Sequence, residues 1–375
     1  MRQKVDYIEP DICLTSDGVP ICMHDFELSG TTDVAEHPEF ADKRTSITLA
    51  SGTYTGWFTN NFTLAQMKTL RVKQRLPNRD KYYDGLFRVP TLNETIQLVK
   101  TMNKKLGLDV GVYIEPKHPA YFESMALKYD DRLLEVLEWN GMVVKRVEGG
   151  EQKLSKVIIE CFESTQLKRL RPRMDLPFVQ LIKEPWEPAD DNGQLYVHMM
   201  SAEGLGEIAA YANAIGPIKS YFEPQNASFV AKTNPDTLIG GAAVDEAHRL
   251  GLLIHPWTLR NSWEDPYIQA YFDGSEEKQL RYLYDLGIDG IFTESAAAAY
   301  YVRQDYEQSF VRATPPPEHS NHQASAALPL MVVIPILCAA FALLVGMAIG
   351  RYFIPLATPN QTKQESLSLL DNSVQ

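Results

Sequence analysis

No glycine-rich dinucleotide motif or P-loop follows any β-like segment of this chain, so the common nucleotide-phosphate cradles are excluded. A basic stripe is missing too: 36 lysines and arginines stand against 48 aspartates and glutamates, a formal net charge of -12, which argues against nucleic acid as the partner. A single phosphorylated small molecule stays compatible with that balance, because a metal and one or two local cations are enough to hold it. Cysteine is scarce. The four present, Cys13, Cys22, Cys161 and Cys338, show no metal-site spacing. Cys13 and Cys22 lie on neighbouring segments and could pair in an oxidising compartment or remain free and buried. Residues 2–12 are charged and strand-like where the apolar part of a secretory leader would stand.

What is present begins almost at once. Glu9 and Asp11 sit two residues apart in the apolar run Val5-Asp6-Tyr7-Ile8-Glu9-Pro10-Asp11-Ile12, followed by a turn at Ser16-Asp17-Gly18 and the return segment Ile21-Cys22-Met23-His24-Asp25. If residues 7–14 form a strand, alternation points both carboxylates to one face, and the return carries His24 to the same end. Two close anions repel unless a cation lies between them, so the pattern suits a divalent metal bound by oxygen ligands beside a general acid/base. Read alone, the same E-x-D pattern also suits a solvated strand edge.

With 45% hydrophobic residues in 375, the chain has material for one large domain or two modest ones. Residues 328–350 carry no charge, a length that as a helix crosses a bilayer core of roughly 30 Å; a single-pass transmembrane helix with Pro335 inside it is expected there. Arg351 follows that run, whereas no Lys or Arg lies between Arg312 and it, which places the tail 351–375 in the cytoplasm and the large domain on the extracellular or lumenal side. Sequons at Asn61, Asn93 and Asn226 agree with that placement. The expected organisation is a barrel domain over 1–312, a proline-rich linker over 313–327, the span and the polar tail.

Up to the linker the chain alternates. Strand-like runs fall at 7–14, 110–114, 157–162, 178–182, 218–222, 252–257 and 290–293, with helical patterns over 91–105, 121–139, 202–214, 235–250 and 275–286. Such alternation implies a parallel sheet. Several strands end on a polar or aromatic residue (Glu115, Glu163, Glu223, Trp257, Glu294), which points to an α/β TIM (β/α)8 barrel rather than an open doubly wound sheet. About seven strands are counted where eight are needed, so the barrel is expected to lack its first β-α unit. Residues 26–88 are too long for a crossover and read as an inserted subdomain near the mouth.

Taken together, Tyr7-Ile8-Glu9-Pro10-Asp11, Thr15-Ser16-Asp17-Gly18-Val19, His24-Asp25, Thr31-Thr32-Asp33-Val34, Val89-Pro90-Thr91-Leu92-Asn93-Glu94, Tyr113-Ile114-Glu115-Pro116-Lys117-His118-Pro119 and Gly287-Ile288-Asp289-Gly290-Ile291-Phe292-Thr293-Glu294 resemble the glycerophosphodiester phosphodiesterase family, in its larger secreted or periplasmic type. The resemblance covers roughly residues 5–300 in order. It implies a barrel hydrolase that cleaves glycerophosphodiesters to glycerol 3-phosphate and an alcohol with a divalent metal, Ca2+ or Mg2+. Carried across, it makes Glu9, Asp11 and Glu115 the metal carboxylates, His24 one of two acid/base histidines, Lys117 a phosphate contact and Trp257 a wall for the glycerol part. Three hard oxygen ligands suit such a cation independently. His118 and His255, each beside a proline, read as structural. The family's opening His-Arg-Gly strand has no counterpart in Met1-Arg2-Gln3-Lys4-Val5-Asp6, so the first catalytic histidine and a phosphate-binding arginine are not found. The expectation is therefore a membrane-tethered phosphodiesterase whose substrate is a small glycerophosphodiester; the alternative is a catalytically impaired relative whose ectodomain binds a ligand or partner.

Overall fold

Strand β1, Tyr7–Leu14, occupies the range expected of it and lies between two parallel neighbours in the main sheet. The computed structural model describes residues 5–49, 52–142, 156–184, 195–223, 235–313 and 331–336. After β1 come β2 (Pro20–Cys22), β3 (Thr45–Leu49), β4 (Gly52–Gly56), β5 (Gly111–Pro116), β6 (Val157–Cys161), β7 (Phe178–Ile182), β8 (Ala214–Pro217), β9 (Leu253–Ile254), β10 (Gly290–Phe292) and β11 (Met331–Ile336). Eight of them follow one another in the order β10, β11, β1, β5, β6, β7, β8, β9, with every pairing parallel. The two ends meet: Asp289 N–H donates to Ile254 O at 3.1 Å, Phe292 N–H to Pro256 O at 3.0 Å and Leu259 N–H to Phe292 O at 2.8 Å. That closure removes the sheet's free edges and gives a TIM-barrel-like fold.

The eighth strand corrects the expected membrane span and adds to the strand count. Met331–Ile336 belongs to the run read as a membrane helix, yet it pairs in parallel with β1 from Tyr7↔Val333 to Pro10↔Ile336 and with β10 from Gly290↔Met331 to Phe292↔Val333. Among the described residues no helix is long and apolar enough to cross a membrane, so the single-pass placement with an extracellular or lumenal domain does not hold. An apolar, β-branched run that pairs on both sides within a parallel sheet reads in sequence like a span. Pro335 lies opposite Glu9 in the ladder, to which it contributes no N–H. The described barrel accordingly has eight strands rather than about seven. Residues 337–375, including Cys338, lie outside the described residues, as do 314–330, which hold all but the first residue of the linker expected over 313–327.

Local signals explain the helices. Thr91 and Glu94 form a reciprocal capping box at the start of the helix Leu92–Leu106, and Gly107 ends it at φ +62°. Its buried Leu92, Ile96 and Val99 form a stripe at helical spacing against the sheet. The pattern over 121–139 breaks into Pro119–Ser124 and Tyr129–Trp139, because Ala126 and Lys128 between them adopt φ +57° and +52°. Another correction concerns β8: the strand is Ala214–Pro217, and the run expected at 218–222 holds a short 3-10 turn, Lys219–Tyr221. Residues 26–88 form no βα unit. They hold the antiparallel pair β3 and β4, several 3-10 turns and the short helix Leu64–Met67.

Candidate active site

Alternation along β1 and its neighbours builds the site in layers. Tyr7, Tyr113 on β5 and Ile158 on β6 belong with Val179, Ala214 and Phe292 to an apolar cluster in the lumen, with the Tyr7 and Tyr113 rings edge to face at 6.0 Å. Two residues further along each strand stand Glu9, Glu115 and Glu160, and on β1 Asp11 follows. These four carboxylates are buried, at 2%, 7%, 1% and 3% exposure for Glu9, Glu115, Glu160 and Asp11. Register sets Asp11 opposite Glu115. The solvated-edge reading of Glu9 and Asp11 is thereby removed.

Lys117 answers part of that charge. Its Nζ lies 2.9 Å from Asp11 Oδ1 and 2.6 Å from Glu115 Oε1, and its N–H donates to Ile12 O at 2.9 Å. His24 reaches the site through the hairpin: β2 pairs antiparallel with the end of β1, and Met23 N–H donates to Asp11 O at 2.9 Å. Gly18, at φ +76°, makes the intervening turn possible. The Nδ1 of His24 lies 2.5 Å from Asp25 Oδ1, whose other oxygen is 3.8 Å from Arg75 Nε. Trp257, half-buried, donates from Nε1 to Gly216 O at 2.7 Å and meets the Phe162 ring at 5.7 Å. Glu9, Asp11, His24, Glu115, Lys117 and Trp257 all line one cavity of about 820 Å³ at the barrel mouth.

Burial, then repulsion from Asp11, Glu160 and Glu115, lifts the Glu9 carboxyl well above its ordinary range. Glu160 is lifted likewise by burial, Glu115 and Asp11. Burial raises Glu115 to about 7 against the pull of Lys117. Asp11 goes the other way: burial opposes its ionisation, but Lys117 and His24 outweigh it and hold the carboxyl below its usual value. Lys117, despite burial, is held well above the ordinary lysine value by Asp11 and Glu115.

The donor set fits a hard divalent cation. Glu9, Glu115 and Glu160 each offer an oxygen within 4.8 Å of the other two, and oxygens sharing one such ion stand at most about 5 Å apart. Glu9 Oε1 and Glu160 Oε2 are buried with no hydrogen-bond partner among the described residues, an arrangement that costs free energy unless a cation answers it.

Sequence reading gave no role to Glu160, Asp25 or Arg75, all of which line the cavity. Glu160 lies inside the run Val157–Cys161 rather than at its end, and only the inward alternation from Ile158 marks it. Among the histidines read as structural, His255 is buried at 1% exposure with its Nδ1 3.0 Å from Tyr113 Oη, while His118 lines the cavity and packs its ring 5.0 Å from Phe26. Glu223 is buried 3.0 Å from Lys219 Nζ and does not line the cavity. Cys13 and Cys22 are free: the ladder sets Cys13 against Ile21 and Cys22 against Ile12, so the two thiols point to opposite faces.

Residues 1–298 match the model of the glycerophosphoryl diester phosphodiesterase family. The chain is 32% identical over 302 residues to glycerophosphodiester phosphodiesterase GDPD6 of Arabidopsis thaliana, covering 78% of this chain and 77% of that one. It is 26% identical over 318 residues to a glycerophosphodiester phosphodiesterase of Haemophilus influenzae, covering 78% and 80%. A solved structure from Silicibacter pomeroyi, described by the same family name, superposes with a TM-score of 0.52 at 19% identity over 80% of this chain and 84% of that one, a likeness of fold.

Proposed function

The chain belongs to the glycerophosphoryl diester phosphodiesterase family, and from that footing we propose that it hydrolyses glycerophosphodiesters to glycerol 3-phosphate and an alcohol with a divalent cation, Ca2+ or Mg2+, held by Glu9, Asp11 and Glu115. Its class, a phosphodiester hydrolase acting on glycerophosphodiesters, follows from the family and from the relatives of that name. One observation carries the metal-dependent reading: buried carboxylates on adjacent strands converge with a lysine and a histidine at one cavity. A bound divalent cation polarises phosphoryl oxygens and offsets their charge.

The chain's own residues have separable tasks. Lys117, 2.6 Å from Glu115 and 2.9 Å from Asp11, is a fixed positive charge for a phosphate oxygen. His24 is the proton carrier: Asp25 holds Nδ1, which leaves Nε2 to exchange a proton with the attacking hydroxyl or the departing alkoxide. Trp257 offers an apolar face to the glycerol carbons.

The test is glycerol 3-phosphate release from glycerophosphocholine by the intact chain, with and without chelator and in His24→Ala. Activity lost on chelation and restored by Ca2+ or Mg2+, with a loss of about 100- to 10,000-fold in His24→Ala, is expected. Release that ignores both treatments would overturn the assignments.

A further inference from the structure

Glu160 has no part in the ligand set of Glu9, Asp11 and Glu115, yet it is the most deeply buried of the four carboxylates, at 1% exposure. It leaves β6 one residue before its end, and alternation from Ile158 in the apolar cluster turns it into the lumen. One of its oxygens lies within 4.8 Å of oxygens of both Glu9 and Glu115. Glu160 Oε2 finds no hydrogen-bond donor among the described residues, and neither does Glu9 Oε1. Lys117, the cation at this cluster, is turned to the other side, onto Asp11 and Glu115. The charge is therefore divided: Lys117 makes its close contacts on the Asp11 side and pulls on Glu9 and Glu160 only through space. A buried carboxylate is kept ionised in such a place at a cost of several kcal/mol unless a cation meets it.

We propose that Glu160 is a further carboxylate ligand of the divalent cation, which is seated toward β6 between Glu9, Glu115 and Glu160 and is thereby biased to Ca2+ over Mg2+. The inference rests on the metal-dependent reading above and adds to it a ligand and a selectivity. The bias follows from coordination. Ca2+ accepts six to eight oxygens in flexible geometry, whereas Mg2+ keeps several waters in a tight octahedron and is usually held by only one or two carboxylates. A fourth clustered carboxylate helps the first ion more than the second.

The experiment is calorimetric titration of the intact, chelator-stripped protein with Ca2+ and separately with Mg2+, for wild type, Glu9→Gln, Glu160→Gln and Glu160→Asp. Circular dichroism checks that each variant is folded. Glu160→Gln is expected to weaken Ca2+ binding by about 10- to 100-fold and Mg2+ binding by less, narrowing the preference; Glu160→Asp, which keeps the charge on a shorter arm, falls between. Should Glu160→Gln fail to fold, Glu160→Asp carries the test, with a weaker but measurable loss expected. If Glu9→Gln loses Ca2+ while the folded Glu160 variants bind both ions as wild type does, the role of Glu160 is overturned and the three-ligand reading stands. Absence of saturable binding by wild type overturns both.

Discussion

Asp11 and Glu115 face each other across two adjacent parallel strands, and Lys117 Nζ bridges them at 2.9 and 2.6 Å. The three residues come from only two chain segments, but the pairing that joins them spans about a hundred residues of sequence. Because Lys117 follows Glu115 by two, the cation returns over its own strand end while the register supplies Asp11. The result is a pair of anions bridged by a lysine beside a second pair, Glu9 with Glu160, that the same lysine reaches only through space.

Removing the bridge tests that division. Lys117→Met leaves Asp11 and Glu115 facing each other without a cation, and breaking a buried ion pair by deleting one partner costs about 3–5 kcal/mol. Urea unfolding with chelator present is expected to show that loss. Saturating Ca2+, by supplying a cation to the same cluster, should return part of it. A variant as stable as wild type in chelator would mean that Lys117 does not hold the carboxylates together.

Much of this was legible in the sequence. The E-x-D alternation in residues 7–14, the Gly18 turn and the return to His24 are short-range, and each was realised where expected. Errors arose where tertiary packing overrode local pattern. The β8 sequence Ala-Ile-Gly-Pro has little β propensity, yet a Cβ at Gly216 would lie 2.6 Å from Leu181 Cδ2; smallness is what lets that strand approach β7. The more strand-like residues after it form the turn instead. Met331–Ile336 shows the reverse case, since continuous apolarity is shared by membrane spans and by strands of parallel sheets, and only pairing distinguishes them. Glu160 stayed hidden because a carboxylate within an apolar run carries no local mark of the two others it meets.

The lumen beneath the carboxylates carries its own pH signature. Burial lowers the His255 pKa from 6.5 to about 4, with Asp289 opposing weakly, so the folded protein keeps this ring neutral while the unfolded chain protonates it below 6.5. Its contribution to stability is therefore fully present above pH 6.5 and lost as pH falls toward 4, by up to about 3 kcal/mol. Urea unfolding at pH 7, 5.5 and 4.5 of wild type and His255→Asn, which keeps a polar partner for Tyr113, measures it. The wild type should lose stability relative to the variant across that window. Parallel curves would show that His255 does not titrate differently in the two states.

The segment 26–88 is tied to the barrel mouth in part by one arginine. Arg79 makes a two-pronged contact with Glu264, at 2.5 Å from Nε and 2.8 Å from Nη2, and its Nη2 also meets Glu294, two residues past the end of β10. Glu294 is shared with Arg260 at 3.4 Å, so a single carboxylate joins the insertion to two loops of the barrel. These groups are mostly buried, with side-chain exposures of 16%, 11% and 14% for Arg79, Glu264 and Glu294, and bidentate pairs of this kind fix geometry as well as adding energy. Arg75 and the β4 residue Tyr54 of the same insertion line the cavity, so loosening the anchor shifts the cavity wall without touching the carboxylates. Arg79→Ala is accordingly expected to raise KM several-fold while kcat falls by less, and to make 26–88 more sensitive to limited proteolysis. Arg79→Lys, which keeps the charge but not the fork, should recover only part of the effect. A variant whose KM and proteolytic pattern match wild type would show that the insertion holds its place by apolar packing, chiefly Phe26, Phe58 and Phe62, rather than through this ion pair.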